Sequence, residues 1–143
     1  MDISDYQEWG KQVAEVTAKN NILFEKFEQT LKSQGLSTDK VDQELTNISV
    51  FGNTFLTQEE VIPIQNGMLE IGAYLGSYFI SEIPWANPDT IEETALSILQ
   101  FYKFLASENS ISKNELAALN TIVDDNLDLW ITEFHLYNSS CEF

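Results

Sequence analysis

The residues most able to do chemistry are three aspartates near the end of the chain, in Asp124-Asp125-Asn126-Leu127-Asp128. On a helix Asp124 and Asp128 stand one turn apart, where two carboxylates can share a hydrated divalent cation such as magnesium. Asp124, Asp125 and Asp128 are therefore the metal candidates of the sequence. They oppose Leu127 and Trp130 on an amphipathic pattern, however, and read first as the solvated face of that helix. Glu59-Glu60 and Glu92-Glu93 lie near expected helix starts, where the helix dipole favours negative charge. General acid–base work would need two such carboxylates to converge in a cleft with separated pKa values, whereas their place at helix starts is already explained by capping. His135 is the lone histidine and Cys141 the lone cysteine, so no Cys/His zinc set and no internal disulfide can form. His135 reads as a helix residue at the core boundary, and Cys141 as a bystander near the end of the sequence, with nothing basic beside it to stabilise a thiolate. No glycine-rich phosphate loop and no Ser/His/Asp set is present. The chain reads as non-catalytic, with no cofactor assigned and no metal assigned beyond the three aspartates.

Charge narrows the partners. The sequence holds 23 acidic residues against 7 basic ones, for a net charge of −16, and every basic residue is a lysine. Residues 1–50 carry nine acids and five lysines, whereas residues 51–143 carry fourteen acids and two lysines. A surface of that sign repels a phosphate backbone, and without arginine it lacks the planar fork that clamps phosphates and reads guanine. Direct nucleic-acid binding is not expected. The longest apolar run, Ile71 to Ile80, is half of the roughly 20 residues needed to span a bilayer. The first ten residues are acidic and polar, unlike a secretory signal, so a cytoplasmic protein with no membrane segment is expected.

The elements that must position these residues are helical throughout. With 143 residues, 43% of them hydrophobic, the chain can bury one core, and the expected architecture is a single-domain all-α bundle of about five helices. The spacing predicts helices over residues 5–33, 37–56, 63–81, 87–106 and 112–137. In the first, Ser4 to Gln7 has capping-box form, Tyr6, Trp9, Val13, Val16, Leu23, Phe27 and Leu31 face inward, and Asn20-Asn21 is a possible break. Gly35 stops it and Ser37 or Thr38 starts the next, which points Val41, Leu45 and Ile48 inward. Thr57 to Glu60 offers another capping box, yet Pro63 lies too far inside that helix, so a start near Pro63 is favoured. Gly72 and Gly76, one turn apart, suggest close approach by another helix. Asn87 caps the most apolar helix, with Pro88 at its first position and Ile91, Ala95, Ile98, Tyr102 and Leu105 inward, flanked by Leu96, Leu99, Phe101 and Phe104. So wide an arc needs protein on more than one side, and Trp85 is expected to cover this helix's start. Ser112 and Glu115 form a capping box for the last helix, with Ile111 and Leu116 as a hydrophobic staple. Its inward positions are Leu116, Leu119, Val123, Leu127, Trp130, Phe134 and Tyr137.

The order of these helices resembles a known family. Phe24 to Leu31, the turn Gly35-Leu36-Ser37, and Phe51 with Phe55-Leu56 are similar to the opening of the core-binding (SAM-like) domain of tyrosine recombinases and phage integrases. Thr90-Ile91, Leu96, Phe101-Tyr102 and Phe104-Leu105 resemble a later helix of that domain, and Ile111 to Asn114 its exit turn, so the likeness covers about residues 23–114. The resemblance implies the helical fold and, in the family, DNA clasped by basic residues. Here the equivalent helices carry Asp39, Asp42, Glu44, Glu59, Glu60, Glu92 and Glu93, and the sequence holds no counterpart of the family's catalytic domain. Strand cleavage is excluded, since no arginine exists to stabilise a phosphoryl transition state. The aspartate run also resembles the DDxxD motif of isoprenoid synthases, without their second acidic motif or cationic diphosphate grip.

The expected function is a non-catalytic, acidic protein-interaction module that meets a basic protein partner. Glu92, Glu93, Asp124, Asp125, Asp128 and Glu133 are its partner-binding candidates. The alternatives are a DNA mimic that occupies a basic nucleic-acid-binding groove, and a small enzyme using carboxylates and a divalent cation. A DNA binder using Lys11, Lys19, Lys26, Lys32 and Lys40 ranks below these. A homodimer through the last helix is also open.

Overall fold

The computed structural model describes residues 2–141. The chain is all-α, with no strand among the described residues. Its contacts divide it into two compact units, Met1–Gly67 and Met68–Phe143.

In the first unit, α1 runs over Ile3–Ser33. Its cap is Asp2, whose Oδ1 accepts the Asp5 N–H at 2.8 Å, so the helix starts earlier than Ser4 would have placed it. At the other end Gly35 takes φ +84, and the Gly35 and Leu36 N–H groups donate to the carbonyls of Lys32 and Leu31. This left-handed residue closes the helix at little steric cost, because glycine has no Cβ. α1 is not broken at Asn20-Asn21. Asn20 is buried and uses its side chain across the unit instead of competing for its own backbone: its Nδ2 donates to Gly52 O (3.4 Å) and Asn53 Oδ1 (3.0 Å), and its Oδ1 accepts the Ile64 N–H (3.4 Å). Asn53 in turn donates to Asn21 Oδ1 at 3.0 Å.

α2 begins at the Ser37 cap, covers Thr38–Ser49 and continues as a π-helical turn over Val50–Phe55. That turn buries Gly52; a Cβ there would stand 2.6 Å from Ile64 Cδ1 and 3.3 Å from Phe24 Cζ. Thr57 does not cap a following helix. Its hydroxyl donates back to Asn53 O at 2.8 Å, while its carbonyl accepts the Trp9 indole N–H at 3.0 Å. Phe24, Phe27, Leu31, Val41, Ile48, Phe51, Leu56 and Ile64 are the buried apolar residues of this unit. Tyr6, expected inward, is 62% exposed, because the first turns of α1 bury little beyond the half-buried Trp9.

Pro63 does not open a long helix. Two 3-10 turns, Ile64–Asn66 and Met68–Glu70, follow it, and regular helix begins only at Ile71. Pro63 itself is extended (φ −58, ψ 142), and the buried Gly67 separates the two turns, with Leu56 packed where a Cβ would stand.

In the second unit, α3 (residues 71–82) consists of Ile71–Ala73, a π-helical turn over Tyr74–Tyr78, and Phe79–Glu82. α4 is Pro88–Ser107 and opens on a reciprocal capping box: Asn87 Oδ1 accepts the Thr90 N–H at 2.8 Å, and Thr90 Oγ1 accepts the Asn87 N–H at 2.9 Å. It ends in a left-handed residue, Asn109 (φ 61), with Ser110 N–H donating to Leu105 O at 2.9 Å. α5, Lys113–Cys141, opens on the expected Ser112–Glu115 box, with both bonds at 3.0 Å. α4 packs against α5, and α5 also packs against α3. The π turn of α3 brings Gly76 under Trp130 of α5, where a Cβ would lie 2.8 Å from Trp130 Cδ1; at Gly72 nothing lies within 4 Å. One of the two glycines therefore marks a close helix approach, and the other does not.

α4 buries Ile91, Thr94, Ala95, Ser97, Ile98, Phe101, Tyr102, Phe104 and Leu105. Leu96, expected to widen its inward arc, is instead 56% exposed, on the narrow solvent strip it shares with Glu92 and Lys103 at helical spacing. Trp85 does not cover the start of α4 with its ring, which is half exposed; its carbonyl does so by accepting the Thr90 hydroxyl at 3.0 Å.

Candidate functional site

α5 holds most of the residues that the sequence singles out. Its inward face is built from Leu119, Val123, Trp130 and Phe134, all buried, with Leu116 and Leu127 half-buried beside them. Tyr137, expected on this face, is 41% exposed, and His135 is exposed with its ring 5.6 Å from that of Phe134. The helix keeps its polar side chains occupied locally: Asn120, Thr121, Asn126 and Thr132 each donate to the carbonyl four residues before. That pattern turns polar groups back onto the helix and leaves the carboxylates to face water.

Asp124, Asp125, Asp128 and Glu133 are all exposed, and among the described residues none of them makes a side-chain hydrogen bond or ion pair. Glu92 and Glu93 are exposed on the early turns of α4. The ion pairs with given geometry, Lys32–Glu28 at 3.3 Å and Lys40–Glu44 at 3.2 Å, both lie in the first unit. From residue 114 to residue 141 there is no lysine at all. The acids of α5 therefore have no lysine or arginine within their own helix beyond Lys113 at its first position.

As a metal centre the aspartates are poorly arranged. Among the described residues no three His, Cys, Asp or Glu side chains converge to hold an ion. The side chain of Cys141 lies outside the described residues. Grooves lie elsewhere: one of about 530 Å³ is lined by Ile22, Glu25, Lys26, Glu28 and Gln29 of α1, and a second of about 340 Å³ by Asn21, Phe24, Glu25, Glu28, Leu45 and Ser49. Both are open to solvent, and Glu28 is already engaged by Lys32.

No family model, no curated protein and no solved structure matches the chain. The geometry of the acidic face is what carries a functional reading. None of the described helices is long and apolar enough to cross a membrane.

Two features escape sequence reasoning. Glu44 is a buried carboxylate on α2; Lys40 meets one of its oxygens, and Oε2 has no hydrogen-bond partner among the described residues. Its position between Val41 and Ile48 on the inward face was the available signal. The other is a set of leucines on α5 that point to solvent, Leu129 (52% exposed) and Leu136 (59%). They stand seven residues apart from each other, and Ile122 stands seven before Leu129, a period legible in the sequence but masked by the stronger inward stripe.

Proposed function

We propose that this chain is a non-catalytic, acidic helical interaction module, on an arrangement like the recombinase core-binding domain, that binds a basic protein partner. The observation that carries the reading is the set of exposed, unpaired carboxylates spread over the solvent side of α5, Asp124, Asp125, Asp128 and Glu133, on a chain of net charge −16. Unpaired surface carboxylates in such number cost the folded state self-repulsion, and a cationic partner relieves that cost on binding. Their chemistry suits Lys- or Arg-rich protein surfaces and opposes phosphate backbones.

The test is a titration of purified basic proteins onto the full chain at about 0.05 M and about 0.5 M salt, where screening lengths differ severalfold. The companion variant carries Asp124→Asn, Asp125→Asn, Asp128→Asn and Glu133→Gln. Binding that weakens at high salt and is lost in the neutralised variant supports the proposal. Equal binding by the variant sinks it. A DNA mimic is the sharper second reading, favoured by the packing of α4 against α5, since both helices expose carboxylates. It requires that duplex DNA and this chain compete for one basic protein, and joint binding without competition would remove it.

A further inference from the structure

α5 carries two apolar stripes, and only one of them is used by the fold. The first, Leu119, Val123, Trp130 and Phe134, is buried. The second is Ile122, Leu129 and Leu136, of which Ile122 is half-buried and the two leucines are more than half exposed. Residues seven apart on a straight helix drift by only about 20° per step, so the three form a nearly straight line over about 21 Å at 1.5 Å per residue. A lone exposed leucine is ordinary, but Leu129 and Leu136 stand one above the other in line with Ile122, so one apolar side chain recurs every two turns along a line that the apolar side of a second helix can follow. Thr132 and Asp125 alternate with the stripe on one side, Glu133 borders it on the other, and Asp128 lies about 100° round the helix from Leu129.

From this placement we infer that the Ile122–Leu129–Leu136 stripe is the docking line for a basic amphipathic helix of another protein. The inference rests on the acidic-module reading above and names its surface and partner. Charge selects the occupant. A second copy of α5 would bring Asp125 and Glu133 against the same carboxylates of its partner, with no lysine after Lys113 to pair them. An anionic lipid surface or a nucleic acid meets the same repulsion. A helix with apolar residues at three- and four-residue steps, flanked by Lys or Arg, satisfies both the stripe and its rim. Leu129 and Leu136 then become the buried anchors, and the carboxylates supply orientation and encounter rate.

The experiment uses the full chain and a fluorescent synthetic peptide of about 20 residues, long enough for the stripe at helical rise. The peptide carries leucines at heptad spacing and a Lys/Arg rim; its control has the same composition in scrambled order. Anisotropy titrations at low salt are run on the wild type, on Leu129→Ser/Leu136→Ser, and on Leu96→Ser, which removes an equally exposed leucine from α4. Circular dichroism checks that each variant keeps its helix content. The expected result is binding of the patterned peptide, with a loss of about tenfold or more for the double variant and for the scrambled control, as for removal of central apolar anchors. Leu96→Ser leaves the affinity unchanged. A change of less than about twofold in the double variant, or equal binding of the scrambled peptide, overturns the docking line while the acidic module stands, since charge alone then accounts for the affinity. Failure of patterned peptide, scrambled peptide and polylysine alike overturns both. Sedimentation supplies a third arm: a dimer of the free protein that dissociates in the double variant assigns the stripe to a second copy and overturns the choice of partner.

Discussion

Asn20 shows how a residue disfavoured inside a helix comes to be kept there. Its amide joins α1 to the π turn of α2 and to the backbone at Ile64, satisfying buried groups that would otherwise face no water. Asn20→Ala removes the buried hydrogen bonds at both ends of that tie, so a loss of about 1–3 kcal/mol is expected in urea unfolding. An unchanged midpoint would show that the tie contributes nothing. Tyr74 and Tyr102 are the other buried polar residues with a measurable consequence. Burial pushes both phenols well above their ordinary value of 10.0, and for Tyr74 the neighbouring Tyr78 adds to it. Because the folded state holds these protons more tightly than the unfolded chain, their contribution is complete below about pH 10 and is lost as pH rises beyond it. A spectroscopic titration should find two of the five tyrosines ionising only as the protein unfolds. Reversible ionisation of all five in the intact fold would contradict this.

At the scale of the element, the crossing of α3 and α5 separates two glycines that look alike in sequence. Gly76 lies under the Trp130 ring, whereas Gly72 faces open space. Gly76→Ala is expected to destabilise by about 1–3 kcal/mol, because Trp130 is buried and has little freedom to withdraw. Gly72→Ala, by contrast, should stabilise by up to about 1 kcal/mol through helix propensity. Thermal melts of the two variants decide it, and the same sign for both would mean that the crossing is looser than it looks. The caps illustrate the opposite case, in which local chemistry suffices. Ser112 and Glu115, like Asn87 with Pro88 behind it, are legible because a cap is made by residues three apart along the chain. The favoured start near Pro63 fails where that local logic ends: two 3-10 turns follow the proline, and regular helix begins only at Ile71, while Thr57 bonds back to Asn53 and caps nothing.

For the molecule as a whole, the net charge of −16 governs behaviour outside the core. Like charges on a compact chain repel, and added salt screens them over about 10 Å at 0.1 M. The melting temperature should therefore rise as sodium chloride is increased from low ionic strength, and the rise should be smaller when Asp124, Asp125, Asp128 and Glu133 are neutralised. A melting temperature that falls with salt would indicate that attractive pairs, such as Lys32–Glu28 and Lys40–Glu44, outweigh the repulsion.

Composition and short-range spacing suffice for the all-α class, most helix positions, the caps at Ser37, Asn87 and Ser112, and the acidity, since these depend on residue content or on contacts within a turn or two. Which side of each helix meets protein depends on the packed molecule. Leu96, Leu129, Leu136, Tyr6 and Tyr137 are as apolar as their buried neighbours, and only the placement of other helices leaves them in water. The same holds for the continuity of α1 through Asn20, whose partners lie 32 to 44 residues away, and for Gly76 against Gly72. The candidate surface divides along this line. Its acids are readable as composition, but the exposed leucines beside them emerge only once the inward stripe of α5 has been filled, because exposure is a property of tertiary packing and not of residue type.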